Sequence, residues 1–182
     1  MNCGRIALVI GGTCALLSAC ATVSPQTWTN TWQGGGEDAF VTDDAFKCLK
    51  SLTKVGNTYY DNVNGHLEET LAVARNPQGG TFPVGTVVAL QPGEAMVKRA
   101  AGFSPGTYDW EFFKIQVVDG KSVITERGTT EMKNIAGSCV GCHEPAAKQF
   151  DLVCATGHGC KPLPGFVQNM ALKSAEKDER CE

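Results

Sequence analysis

The chain has 182 residues, 42% hydrophobic and 19% charged, with a formal net charge of -3. That composition fits one globular domain and excludes a basic nucleic-acid-binding surface. Its nine cysteines point to an oxidising compartment or to a cofactor that uses sulfur.

Met1 to Cys20 reads as a targeting segment. Arg5 is the n-region charge, Ile6 to Leu17 form an apolar h-region too short to span a bilayer, and small residues follow. The end of the segment, Leu17-Ser18-Ala19-Cys20, resembles the lipobox of bacterial lipoproteins. That resemblance implies a signal peptide over 1–19, lipidation of Cys20 and a membrane partner reached through the lipid. With Ala21 after the cysteine, it implies the outer membrane facing the periplasm, within the bacterial cell envelope. The alternative is an ordinary signal peptide ending at Ala19-Cys20-Ala21.

Residues 20–42, rich in Thr, Ser, Gln and Gly, read as a flexible tether, and 43–182 as the folded domain. Asp44 to Thr53 is a predicted helix, with Ala45, Leu49 and Leu52 near helical spacing. Short β-forming runs follow at Tyr59–Val63, Thr70–Ala74, Thr86–Leu90, Ala95–Ala100, Tyr108–Val118 and Ser122–Arg127. Gln91-Pro92-Gly93 and Asp119-Gly120 mark two hairpin turns. Short helices are predicted at Met132–Ala136 and Pro145–Phe150. The fold class is therefore mainly β with a few helices (α+β), an antiparallel sheet or partial barrel.

Cys139-Val140-Gly141-Cys142-His143 is the C-x-x-C-H motif that attaches one covalent haem c. The two thiols add across the porphyrin's vinyl groups and His143 supplies the proximal iron ligand. A zinc site would need a second ligand pair at suitable spacing, which the sequence lacks. Cys154 and Cys160 bracket Ala-Thr-Gly-His-Gly, a loop able to close on a local disulfide. Cys48 and Cys181 are left to pair by elimination.

F-P-x-G-T-V-V at Phe82–Val88, D-W-E-F-F at Asp109–Phe113, C-x-x-C-H, and D-L-V-C at Asp151–Cys154 together resemble the cytochrome P-460 and cytochrome c′-beta family over roughly 55–164. The resemblance implies a β-sheet body, commonly a homodimer, with a haem c whose distal side is open to small molecules. Family members oxidise hydroxylamine or bind nitric oxide or carbon monoxide. Where the hydroxylamine-oxidising members carry a porphyrin-linked lysine, this chain has Leu90, so the likeness is closer to the c′-beta branch. Lys98, on the next strand, faces either the same pocket or solvent. Phe82, Leu90 and Phe103 are candidates for an apolar distal cap, or plain core residues.

The sixth coordination position separates the functions. His66, His158, Met96, Met132 and Met170 are the available protein ligands, with His158 the more serious rival to an open site. Glu94 and Glu111 are candidate catalytic bases and Arg99 a candidate donor to bound ligand; a solvated strand face or a salt bridge is the more economical explanation of each. The leading expectation is an open-site haem protein for diatomic or nitrogenous ligands, which it binds or, as an oxidoreductase, turns over. Electron transfer to a redox partner and haem-based ligand sensing are the other classes. Replacing Cys20 by Ala is expected to move the protein from the membrane to the soluble fraction; retention in membranes on fractionation would contradict lipidation.

Overall fold

The computed structural model describes residues 37–182 apart from 136, 156 and 182. The targeting segment, Cys20 and the tether up to residue 36 lie outside the described residues. Six antiparallel strands, β1 (Thr53–Val55), β2 (Thr58–Asn62), β3 (Thr86–Gln91), β4 (Glu94–Lys98), β5 (Trp110–Val118) and β6 (Lys121–Gly128), pair in chain order. The sheet is an open meander whose edge strands β1 and β6 are not joined. Helix α1 (Leu67–Arg75) crosses between β2 and β3. After the sheet come a short hairpin of β7 (Lys133–Asn134) and β8 (Gly137–Ser138), then α2 (Cys139–His143), α3 (Ala147–Phe150) and α4 (Gly165–Glu176). Among the described residues no helix is long and apolar enough to cross a membrane.

Strand register gives the sheet two distinct faces. Tyr60, Val88, Met96 and Phe112 are successive cross-strand partners, so they stand in one rank on the first face. They pack with Phe82, Trp110, Met132, Leu152, Val153 and Leu71 of α1. Ala89, Ala95 and Phe113 form the corresponding rank on the second face, covered by Ala39, Val41, Phe46 and Leu49 from the N-terminal segment and Ala175 of α4. Burial on both sides explains why β3 and β4 read as continuous apolar runs, whereas edge strand β6 alternates.

Three predicted elements are corrected. Thr70–Ala74, read as a strand from its β-forming residues, lies in α1. There Leu67, Leu71 and Ala74 recur at helical spacing against the first face, and Glu68 and Glu69 sit favourably at the helix start. In place of the helix over 44–53 there are 3-10 turns at Asp43–Ala45 and Leu49–Ser51, then β1. Tertiary partners take the backbone groups that a helix would use: Leu49 N–H donates to Asp178, and the Phe46 carbonyl accepts from Ser122 and Arg180. Lys133 and Asn134, expected in a helix, pair instead with Ser138 and Gly137, the latter at φ 118°. Helix α4 was not foreseen; its core contacts are only alanines, Ala171 and Ala175, a weak periodic signal.

The folded body extends N-terminal of residue 43. Ala39 is fully buried, and Asp38 accepts hydrogen bonds from the Arg99 side chain and the Ala100 amide. Burial alone would raise the Asp38 carboxyl pKa, but the Arg99 guanidinium and Ala100 N–H outweigh it and hold the group below its ordinary 3.8. A carboxylate with a depressed folded pKa contributes stability in full above its unfolded value, and that contribution is lost as pH falls through the folded value. Asp38→Asn is therefore expected to cost on the order of 3 kcal/mol at neutral pH, because Arg99 loses a buried partner. Denaturant titrations should show the gap to the parent closing as pH falls below about 4; a gap independent of pH would contradict the pairing.

Candidate functional site

Helix α2 is one turn long and starts on Ser138, whose Oγ accepts the Gly141 N–H at 3.2 Å. The Cys139 amide bonds the Met132 carbonyl at 3.0 Å, docking the helix start against the first face of the sheet. Cys139 and Cys142 stand one helical turn apart, half-buried and exposed respectively, and both thiols are unpaired. The other described cysteines pair as Cys48–Cys181 and Cys154–Cys160. Burial pushes the Cys139 thiol pKa up, and the charge of Glu94 adds to this.

His143 ends the helix with its ring edge-to-face on Phe112, 5.6 Å between centroids. Its Nδ1 lies 2.8 Å from the Leu152 carbonyl oxygen. A carbonyl only accepts, so Nδ1 carries the proton and the Nε2 lone pair is left available. Burial pushes the imidazole pKa below its ordinary 6.5, against the opposing pull of the Leu152 bond and Glu94, which keeps the ring neutral at neutral pH.

The carbonyl that receives His143 belongs to an unusual corner. Asp151 and Leu152 are consecutive non-glycine residues in the left-handed region, at φ 49° and 63°. Such positions cost about 1–3 kcal/mol each unless the surroundings hold them. Here Asp151 Oδ1 takes the Lys98 ammonium at 2.7 Å, Oδ2 takes the Phe82 amide at 2.9 Å, and the Asp151 carbonyl takes the Trp110 indole N–H at 2.6 Å. Lys98, open to either side in the sequence reading, is thus buried in an ion pair. Burial raises the Asp151 carboxyl pKa, and the Lys98 ammonium and Phe82 amide act against it.

The remaining site candidates scatter. Glu111 stands opposite Val97 on the second face, away from His143, where it pairs with Arg99 and Arg127. Arg99 is also bound to Asp38, with its guanidinium 4.2 Å from the Phe103 ring centroid. Both residues thus occupy a buried charge cluster, the salt-bridge alternative of the sequence reading. Glu94 alone of the three lies near the motif, accepting from Asn134 Nδ2 at 3.1 Å and acting electrostatically on Cys139 and His143. Phe82 packs between Tyr60 and Trp110 in the core. Leu90, within the β3 bulge, is 36% exposed.

Among the potential sixth ligands, Met96 and Met132 are buried in the cluster around Phe112 and Met170 is exposed on α4. His66 is exposed beside Glu69. His158 hangs by Nδ1 from the Val153 carbonyl at 2.7 Å and stacks on Phe150 at 3.8 Å.

Two free thiols one turn apart, followed by a neutral imidazole with Nε2 available, form a donor set that fits a thioether-bound haem with a proximal histidine. Comparison with family models, curated proteins and solved structures finds no match for the chain. Alkylation of unreduced, haem-free protein secreted as the Cys20→Ala form is expected to label Cys142 first, then Cys139, and to spare Cys48, Cys154, Cys160 and Cys181. Labelling of those four without reductant would break the assignment.

Proposed function

We propose that this chain is a mono-haem c protein of the cytochrome P-460 and c′-beta type, lipid-anchored at the outer membrane and facing the periplasm. It binds or turns over diatomic or small nitrogenous ligands such as nitric oxide, carbon monoxide or hydroxylamine. The observation that carries this reading is His143, bonded at Nδ1 to the Leu152 carbonyl and directly following the only unpaired thiols among the described residues. When bound, the haem iron supplies an axial coordination position and a one-electron couple.

The chain's own residues divide the remaining work. Cys139 and Cys142 would each add their S–H across a vinyl group and so tether the porphyrin to α2. His143 presents Nε2, and Phe112 limits the tilt of its ring. Met96 is the cross-strand partner of Phe112 and is buried with Met132 in the cluster around that ring. Met170 belongs to α4, the helix whose Ala175 packs on the second face. The core burial of Met96 and Met132 and the exposure of Met170 favour a haem without a methionine ligand. Glu94, which acts electrostatically on Cys139 and His143, is the carboxylate that would act on a bound haem, whereas Glu111 and Arg99 hold the body together.

A second reading, electron transfer with His158 as sixth ligand, rests on the Val153 bond that leaves His158 Nε2 available in the same manner as His143. Visible spectra of the haem-loaded Cys20→Ala protein, ferric and reduced, separate the two. A high-spin spectrum that shifts on adding nitric oxide or carbon monoxide is the expected result. A low-spin spectrum indifferent to both gases would transfer the protein to the electron carriers, and absence of covalent haem would overturn both readings.

A further inference from the structure

Lys98 and Asp151 sit 53 residues apart in sequence, yet their side chains meet at 2.7 Å with both groups almost wholly buried. A buried ion pair is a weak source of stability compared with apolar residues of the same size, so its value lies in what it orients. What it orients here is a short line of bonds. Each Asp151 carboxylate oxygen accepts one hydrogen bond, from the Lys98 ammonium and from the Phe82 amide, and the backbone carbonyl is held by Trp110. The 151–152 corner, closed by the Val153 N–H to Phe150 carbonyl bond at 2.9 Å, is thereby braced from outside, and the next carbonyl, that of Leu152, lies 2.8 Å from His143 Nδ1. Lys98 also donates to the Tyr108 carbonyl at 2.6 Å, at a second left-handed corner, and lies 5.3 Å from the centroid of the Trp110 ring. One ammonium therefore ties the corner that receives the histidine to the strand β5 whose Phe112 packs against it.

We infer that Asp151, clamped by Lys98 and Trp110, is a positioning residue that sets the protonation site and tilt of His143 through the Leu152 carbonyl, and thereby tunes the electron donation of the imidazole to the iron. The inference rests on the haem reading above. A firm Nδ1–H···O=C bond makes an imidazole a stronger donor through Nε2, which favours the ferric state and strengthens the bond to iron. Loosening the corner weakens that bond and does the reverse.

The test uses Asp151→Asn, which keeps the shape of the side chain and removes its charge, and Lys98→Met, which keeps an unbranched stem and removes the ammonium. Asp38→Asn serves as control because it disturbs a buried ion pair in a separate cluster. In the haem-loaded proteins, the iron–histidine stretching band of the ferrous form is expected to fall in frequency and the reduction potential to rise in the first two variants. The control should leave both unmoved even where its melting temperature drops as far. Unmoved band and potential in Asp151→Asn and Lys98→Met would overturn the inference.

In haem-free protein, the ring nitrogen shifts of His143 should report a single Nδ1-protonated tautomer in the parent and a mixture in the variants. A single unchanged tautomer in all of them would overturn positioning as well. A parent that takes up no haem would overturn the haem reading alone, and the tautomer measurement would still decide whether Asp151 positions the ring.

Discussion

The Lys98 ammonium, buried 2.7 Å from the Asp151 carboxylate, is the contact on which the arrangement around His143 depends. It joins the last residue of β4 to the corner that follows α3, where it reinforces the Val153 N–H to Phe150 carbonyl bond that closes the left-handed turn at Asp151 and Leu152. The Phe82 amide and the Trp110 indole add neutral hydrogen bonds to the same residue. Three separate parts of the chain therefore converge on Asp151, and the Leu152 carbonyl inherits their rigidity.

The sheet separates this machinery from the anchoring of the body. On the first face Phe112, Met96 and Trp110 back the helix that carries Cys139, Cys142 and His143. On the second face the N-terminal segment is locked down by Asp38, Arg99, Glu111 and Arg127, with Val41 and Phe46 packed beneath. Alternation along a strand makes the division absolute: Glu111 and Phe112 are neighbours in sequence and point to opposite sides. A carboxylate one residue away from the ring that supports His143 is thus committed to a charge cluster. Glu94, which shares its face with Met96, remains within electrostatic reach of the motif.

Cysteine usage follows the same economy. The Cys48–Cys181 disulfide ties the C-terminal end to the start of the body, beside the bonds from Leu49 and Arg180 to Asp178. The Cys154–Cys160 disulfide closes the loop directly after the Asp151 corner, where Cys154 also approaches the Cys142 carbonyl. Only the two motif thiols are left unpaired among the described residues, the state in which the proposed haem could be attached.

Features that depend on a few neighbouring residues are legible in the sequence. The C-x-x-C-H spacing, the Cys154–Cys160 loop, and the hairpins at Gln91-Pro92-Gly93 and Asp119-Gly120 were legible because turn chemistry and one-turn spacing act locally. Composition misled over Thr70–Ala74, where helical recurrence of leucine and alanine against the first face outweighed β-forming residues. Which side of the sheet each charged residue faces, and whether Lys98 meets water or Asp151, emerges only when the strands pair and the core closes. Those outcomes follow from strand register and from the closure of chain segments 41 and 53 residues apart, at Trp110 and Lys98. No local pattern encodes them, because a buried charge finds its partner through the packing of the whole core.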